Sequence, residues 1–87
     1  GRDVDHRTDI YSLGVTIFEL STGELPFQKG NVPYHHVHTP PPDPRDVKAD
    51  IPVGLSEVIL RCLKKAPAER YQTAKELIED LDRLAKA

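Results

Sequence analysis

The sequence predicts an all-α fold, and three of its features carry that prediction. An apolar run is long enough for a buried helix, two later segments repeat their apolar residues at helical spacing, and a capping motif precedes the last of these segments. No stretch alternates apolar and polar residues as a half-buried strand would. With 87 residues, 38% of them hydrophobic and 30% charged, the chain suits one small globular unit with a thin core.

The first predicted helix covers about residues 9–22. Thr8 or Asp9 is expected to cap its N-terminus, and Gly23 followed by Pro26 is expected to end it. Its apolar residues point in every direction around the helix axis: Ile10, Leu13, Val15, Ile17, Phe18 and Leu20. Such a distribution is typical of a helix that is buried on all sides.

A proline-rich segment follows from Asn31 to Pro52 and contains six prolines. The triplet at 40–42 excludes a regular helix or strand at that point, so the sequence predicts a loop with one short helix near 32–38. The P-x-x-P spacing over 41–44 fits either a polyproline ligand for an aromatic groove or a stiff connection between helices. Composition favours the stiff connection.

The second long helix is predicted over about 55–65. Its apolar residues recur at i, i+3, i+4, i+7 and i+8, the spacing of one helix face: Leu55, Val58, Ile59, Cys62 and Leu63. Pro67 should end it.

The last helix should begin at a capping box formed by Thr73 and Glu76, whose side chains can satisfy each other's backbone amides. Its apolar stripe comprises Leu77, Ile78, Leu81, Leu84 and Ala85. The pairs Glu79–Arg83 and Asp82–Lys86 are expected on the opposite, solvated side.

Composition and charge exclude several classes of function. The net charge is −2 and the basic residues are dispersed, so no nucleic-acid-binding face is predicted. No apolar run approaches the roughly 18 residues of a membrane span. Cys62 is the only cysteine, so the chain cannot form an intrachain disulfide. A cytoplasmic location is therefore expected for this segment, whether or not a longer protein carries a membrane anchor elsewhere.

Three histidines lie close together at 35, 36 and 38. A nickel or zinc site is conceivable there, but adjacent side chains diverge, and an unliganded polar loop is the favoured interpretation. No metal site is therefore predicted in the chain.

The sequence resembles a known family in two blocks that together cover nearly the whole chain. The first block comprises Arg7–Val15, then Glu19-Leu20, Thr22-Gly23 and Leu25–Phe27, and looks like the protein-kinase segment after the activation loop. The second comprises Ile51-Pro52, Leu55, Cys62–Lys65 and Pro67–Ala74, and resembles the closing helices of the same domain in the same order. The chain thus resembles the C-terminal part of the helical lobe of a Hanks-type, eukaryotic-like serine/threonine protein kinase. Its sequence is most similar to the bacterial branch of that family.

This resemblance implies that residues 1–87 are an incomplete catalytic domain, without the N-lobe, the catalytic loop and the activation segment. The glycine-rich loop, the strand lysine and the H-R-D and D-F-G motifs of kinases do not occur in the chain. A parent kinase would transfer the γ-phosphate of ATP to serine or threonine of protein substrates with Mg²⁺. The chain alone would contain no catalytic residue, bind no cofactor and be inactive. Its contribution to the parent kinase would be a scaffold and a possible substrate-docking surface.

The resemblance also implies roles for particular residues of the first helix. Asp9 would be the buried aspartate that accepts hydrogen bonds from the catalytic-loop backbone, although a first-turn acid favoured by the helix dipole is the plain alternative. Thr16 and Leu20 would support the apolar residues beneath the adenine and the catalytic loop, with Thr16 less apolar than is usual in the family. Glu19 would contact a basic substrate side chain, or be an ordinary helix glutamate.

Arg70 corresponds to the late arginine whose ion pair reaches a glutamate at the end of the activation segment. That glutamate is not among the 87 residues. Because an unpaired guanidinium is costly to bury, Arg70 is expected to face solvent or to pair elsewhere.

A second hypothesis stays open beside the truncated enzyme. The chain would then be a non-catalytic helical interaction module or pseudokinase remnant that uses the exposed face of its first helix. Under either hypothesis an uncovered apolar face predicts self-association, for instance by exchange of helices.

Overall fold

The computed structural model describes the backbone of residues 6–86 and the side chains of residues 7–86. Within these bounds the chain contains helices and no strand, which confirms the all-α prediction. The α-helices are α1 (His6–Thr22), α2 (Val32–His38), α3 (Pro44–Val47), α4 (Val53–Cys62) and α5 (Ala74–Lys86), and a 3₁₀ helix (Pro67–Glu69) lies between the last two.

The core lies where α1 packs on α4 and α4 packs on α5. One buried cluster joins all three helices and the residue Tyr71 that precedes α5: Ile10, Val58, Cys62, Tyr71 and Leu77. A second cluster, formed by Phe18, Ile59 and Leu63, fills the other end of the contact between α1 and α4. Helix α4 is therefore the centre of the described fold.

Gly14 sets how closely α1 and α4 approach. A Cβ atom built at Gly14 would lie 2.5 Å from the Cβ of Cys62, nearer than two carbon atoms can pack. The crossing of the two helices thus requires a residue without a side chain at this position.

Helix α1 departs from its prediction at its start and in its burial. It begins three residues before the expected Asp9, so Thr8 and Asp9 lie inside the helix and do not cap it. It ends as predicted, because Gly23 adopts a φ of +81° that favours glycine and its amide binds the Glu19 carbonyl at 2.8 Å. The prediction of burial on all sides is wrong, since Leu20 is 80% exposed: α3, α4 and the 3₁₀ helix cover the opposite side of α1.

The proline-rich segment contains the predicted helix over 32–38 and one helix that the sequence analysis missed. In α2 the Asn31 side chain caps the N-terminus by accepting from the Tyr34 amide at 3.2 Å. The missed helix α3 begins at Pro44, and Asp43 caps it by accepting from the Arg45 amide at 2.8 Å. An aspartate before a proline is a regular helix start, but the neighbouring prolines masked that signal.

Helix α4 is shifted toward the N-terminus from its predicted range. It starts at Val53, directly after Pro52, and ends at Cys62, three residues earlier than expected. The Leu63 amide is shared between the carbonyls of Ile59 and Leu60, a tightened last turn that often closes a helix. The helix therefore stops before Pro67 could end it.

The capping box of α5 is confirmed. Thr73 Oγ1 accepts from the Glu76 amide at 3.2 Å, and Glu76 Oε1 accepts from the Thr73 amide at 3.2 Å. The predicted pair of Asp82 with Lys86 also forms, with 2.8 Å between Nζ and Oδ2.

Two details of α5 differ from the prediction. Arg83 binds Asp80 one turn back instead of the expected Glu79. Ile78 and Ala85 are exposed, because α4 covers only the side of α5 that carries Leu77, Leu81 and Leu84.

No helix within residues 6–86 has both the length and the apolar character needed to cross a membrane.

Candidate docking face of helix α1

One side of α1 is uncovered, and we refer to it as the outer face. Its members are all exposed: Asp9, Ser12, Leu13, Thr16, Glu19 and Leu20. Asp9, Leu13, Thr16 and Leu20 are spaced at i, i+4, i+7 and i+11, which places them in one row along the helix. The structure therefore brings the candidate residues of α1 onto a single exposed surface: Asp9, Thr16, Glu19 and Leu20.

The outer face combines apolar and polar side chains. Leu20 is 80% and Leu13 is 42% exposed, whereas on the opposite side of the same helix Ile10 and Phe18 are buried. A surface helix typically buries one apolar stripe and leaves a polar side to solvent, whereas a helix with apolar residues all round is typically covered on all sides. Helix α1 has apolar residues on both sides, so its outer face is suited to contact a second partner.

The polar groups of the outer face differ in how they are engaged. The Thr16 hydroxyl donates to the Ser12 carbonyl at 3.2 Å, so its hydrogen-bonding capacity is used within the helix. Asp9 lies in the first turn of α1, where a carboxylate is favoured by the helix dipole. The carboxylates of Asp9 and Glu19 are both exposed and accessible to a partner.

Arg70 does not belong to the outer face. Its guanidinium donates to three backbone carbonyls: Nε to Lys64 at 2.7 Å, Nη1 to Arg7 at 3.0 Å and Nη2 to Lys65 at 3.1 Å. It also lies over the ring of Tyr11, with Cζ 4.8 Å from the ring centroid. Arg70 thus joins the start of α1 to the segment after α4 through carbonyl oxygens.

A group of side chains between α1, α2 and the segment after α4 was not found by sequence reasoning, and we call it the Tyr11 cluster: Tyr11, Phe27, His35, His36, Lys65 and Arg70. The Tyr11 hydroxyl lies 2.8 Å from His36 Nδ1 and donates to the His36 carbonyl at 3.2 Å. Lys65 Nζ donates to the carbonyls of His35 at 2.8 Å and His36 at 3.0 Å. No local pattern could have revealed contacts between residues this far apart in the chain.

Burial and neighbouring cations shift the titrating groups of this cluster. Burial raises the pKa of Tyr11 above its usual value, and the nearby Arg70 cation offsets part of this rise. Burial lowers the pKa of Lys65, and Arg70 lowers it further. The pKa of His36 is lowered by burial first and then by the charges of Lys65 and His35. The cluster therefore disfavours additional positive charge on His36.

The three histidines of α2 do not converge. His35 Nδ1 lies 2.8 Å from Thr39 Oγ1, His36 faces Tyr11, and the ring of His38 contacts that of Tyr34. Within the part of the chain that the structure describes, no three metal-ligating side chains come together.

Cys62 is fully buried at the centre of the core. Burial raises the pKa of its thiol to about 11, so the reactive thiolate is scarce near neutral pH. Its position fits a packing role.

A hollow of about 460 Å³ lies between α4 and α5. Its polar groups bind one another: the Arg61 guanidinium lies 4.0 Å from the centroid of the Tyr71 ring, and the Tyr71 hydroxyl donates to Asp80 at 2.7 Å. Two acidic and two basic side chains line it, Glu57, Asp80, Arg61 and Arg83. This balance of charge gives the hollow no preference for an ionic ligand.

Comparison with known proteins finds relatives named serine/threonine-protein kinases, together with a hybrid signal transduction histidine kinase of Dictyostelium discoideum that is 43% identical over 82 residues. The chain is 38% identical over 84 residues to a probable serine/threonine-protein kinase of Clostridium acetobutylicum, and the match covers 93% of the chain and 13% of that relative. It is 44% identical over 87 residues to the serine/threonine-protein kinase PknB of Mycolicibacterium smegmatis, with 97% of the chain and 14% of the relative covered. It is 41% identical over 93 residues to the probable serine/threonine-protein kinase PknB of Corynebacterium glutamicum, and the match covers 99% of the chain and 14% of that relative.

The chain therefore spans about one seventh of the length of these curated relatives. No protein-family model matches it.

Proposed function

We propose that this chain belongs to the Hanks-type serine/threonine protein kinases, that it forms the closing part of the helical lobe of such a kinase, and that the outer face of α1 receives the rest of the catalytic domain. The similarity of nearly the whole chain to a segment of relatives named serine/threonine-protein kinases supports this proposal. The exposure of Leu20 is the observation that carries this proposal. A leucine that is 80% exposed, on a helix that is fully buried on its other side, fits a helix from the interior of a larger domain.

The proposed parent protein transfers the γ-phosphate of ATP to serine or threonine residues of protein substrates. Phosphoryl transfer depends on positioning the nucleotide, Mg²⁺ and the attacking hydroxyl, and the motifs that do so are not in this chain. The 87 residues by themselves therefore supply scaffold and do not catalyse the reaction.

Individual residues of the outer face receive proposed roles. Asp9 accepts hydrogen bonds from the catalytic-loop backbone, and Thr16 and Leu20 pack beneath that loop and the adenine site. Their shared row on one exposed surface supports this assignment. Glu19 lies beside the row and is exposed, which suits contact with a basic side chain of a substrate.

Arg70 receives a different proposed role. In the parent, its guanidinium exchanges part of its carbonyl contacts for a glutamate of the activation segment. A bidentate carboxylate suits the fork of a guanidinium better than single carbonyls do.

The size of the native polypeptide tests the proposal directly. An antibody to this segment, used on extracts of the source cells, should detect a product several times heavier than 9.8 kDa. A band at the mass of this chain would contradict the kinase proposal. It would favour a free, non-catalytic helical module that uses the same outer face to bind a partner or a second copy of itself.

Paired substitutions in the intact protein test the role of the outer face. Leu20→Asp should abolish Mg²⁺-dependent phosphorylation of serine or threonine, because an unpaired buried carboxylate costs several kcal/mol. Ile78→Asp is the matched control, since Ile78 is 61% exposed on α5 and is not part of the outer face. Its activity should stay close to that of the unmodified protein. Full activity of Leu20→Asp would overturn the assignment of the outer face.

A further inference from the structure

Helix α2 is attached to the rest of the chain without a buried residue of its own. Its contacts with the body run through the Tyr11 cluster: the ring of His36 meets Tyr11, Lys65 binds the last carbonyls of the helix, and the rings of His35 and His36 lie 5.6 Å and 5.0 Å from that of Phe27. Polar and aromatic contacts around His36 therefore hold α2 against the rest of the chain.

The titratable groups that face His36 come from three segments. Tyr11 approaches from α1, Lys65 from the segment after α4, and His35 from α2 itself. Arg70 lies behind Tyr11, with its Cζ 4.8 Å from the centroid of that ring. Among residues 7–86 no acidic side chain contacts the His36 imidazole, so a proton on it would add a third cation to this site.

We propose that His36 is a proton-sensitive latch, which holds α2 on α1 when the imidazole is neutral and releases the helix when it is protonated. In the neutral state one hydrogen-bonded pair joins Tyr11 and His36, and Lys65 occupies the carbonyl end of α2. Protonation sets the imidazolium against the nearby Lys65 cation across a partly buried contact.

The direction of the pH effect follows from linkage. Since the pKa of His36 is lowered when α2 is docked, the released helix binds the proton more tightly, and docking is favoured as pH rises. Release should begin as pH falls below about 6.5, the ordinary pKa of histidine, and should level off below the pKa of the docked state. Each unit of difference between the two pKa values corresponds to an increase of about tenfold in the ratio of released to docked helix.

Amide hydrogen exchange of the chain at several pH values, corrected for intrinsic rates, measures this release. The reporters are the amides of His35 and Thr39, which bind the carbonyls of Asn31 and His35 at 3.0 Å each. Their protection should be constant above about pH 6.5 and should fall as the pH is lowered from there to about 5. The Leu63 amide, bound inside the core at 3.1 Å to Ile59, should keep its protection.

Two glutamine substitutions assign the effect to one histidine. His36→Gln keeps hydrogen-bonding capacity without a titrating group and should remove the pH dependence. His38→Gln is the matched control and should retain it, because His38 contacts only the ring of Tyr34 among the described aromatic groups. Persistence of the pH dependence in His36→Gln, or its absence in the unmodified chain, would overturn the latch.

A second measurement does not depend on any variant folding. The pKa of His36 in the unmodified chain can be read from the NMR shifts of its ring protons. A value below that of His36 in a peptide of residues 31–39 supports the latch, and an equal or higher value overturns it.

Discussion

The two sides of α1 differ more in their surroundings than in their residues. The side toward α4 buries Ile10 and Phe18, whereas the outer face carries Leu13 and Leu20, and the latter is 80% exposed. Large apolar residues occur on both sides, but within residues 6–86 the helices that pack on α1 cover only one of them. The comparison teaches that an apolar pattern alone does not determine which side of a helix is covered, because coverage also depends on the elements that pack against it.

The largest effect is expected on the buried side, at Phe18. Phe18→Ala should lower the free energy of unfolding of the chain by about 3–5 kcal/mol, because Phe18 is fully buried against Ile59 and Leu63. Urea unfolding followed by circular dichroism measures the change, and loss of the folding transition altogether would agree with it. A cost near zero would show that the buried side of α1 is not packed as described.

A smaller loss is expected at the helix crossing. Gly14→Ala should destabilise the chain by about 1–3 kcal/mol, because the new methyl group meets the Cβ of Cys62, which cannot move independently of α4. Gly54→Ala is the control: its methyl group would meet the flexible end of Leu84, and the gain of about 1 kcal/mol in helix propensity should offset the strain. Equal effects of the two substitutions in urea unfolding would contradict the close approach at Gly14.

The smallest effect on stability is expected on the outer face. Leu20→Gln should change the free energy of unfolding of the isolated chain by no more than about 0.5 kcal/mol, as for other exposed positions. The same substitution should reduce self-association in sedimentation experiments, because it removes apolar surface from the uncovered side. A loss of stability comparable to that of Phe18→Ala would mean that the outer face is covered within the chain.

Local signals predicted much of this fold correctly. The capping box at Thr73, the stop at Gly23 and the helix over 32–38 depend on chemistry within a few residues, and each is present in the structure. The missed start of α3 at Pro44 belongs to the same class, because its signal was local but lay among other prolines. Helix ends without such motifs, such as both ends of α4, were placed with errors of two or three residues.

The candidate site was predictable only in part, for a physical reason. The row of Asp9, Thr16 and Leu20 follows from helical spacing alone, so its residues could be placed together from the sequence. The contacts of Arg70 with carbonyls and of Tyr11 with His36 join distant segments and depend on how the helices pack. Their partners are backbone atoms or aromatic edges, which leave no complementary charge in the sequence to search for.

The hydrogen bond from Arg70 to the Arg7 carbonyl also bears on the order of events during synthesis. It joins residues 63 positions apart, and the other groups that cover the inner side of α1 likewise lie late in the chain. At about 5–20 residues per second, a ribosome needs roughly 3–13 seconds to make the stretch between them. During that interval the newly made α1 has neither of its sides covered by these later residues, so the nascent chain is a candidate client for chaperones that bind exposed apolar helices.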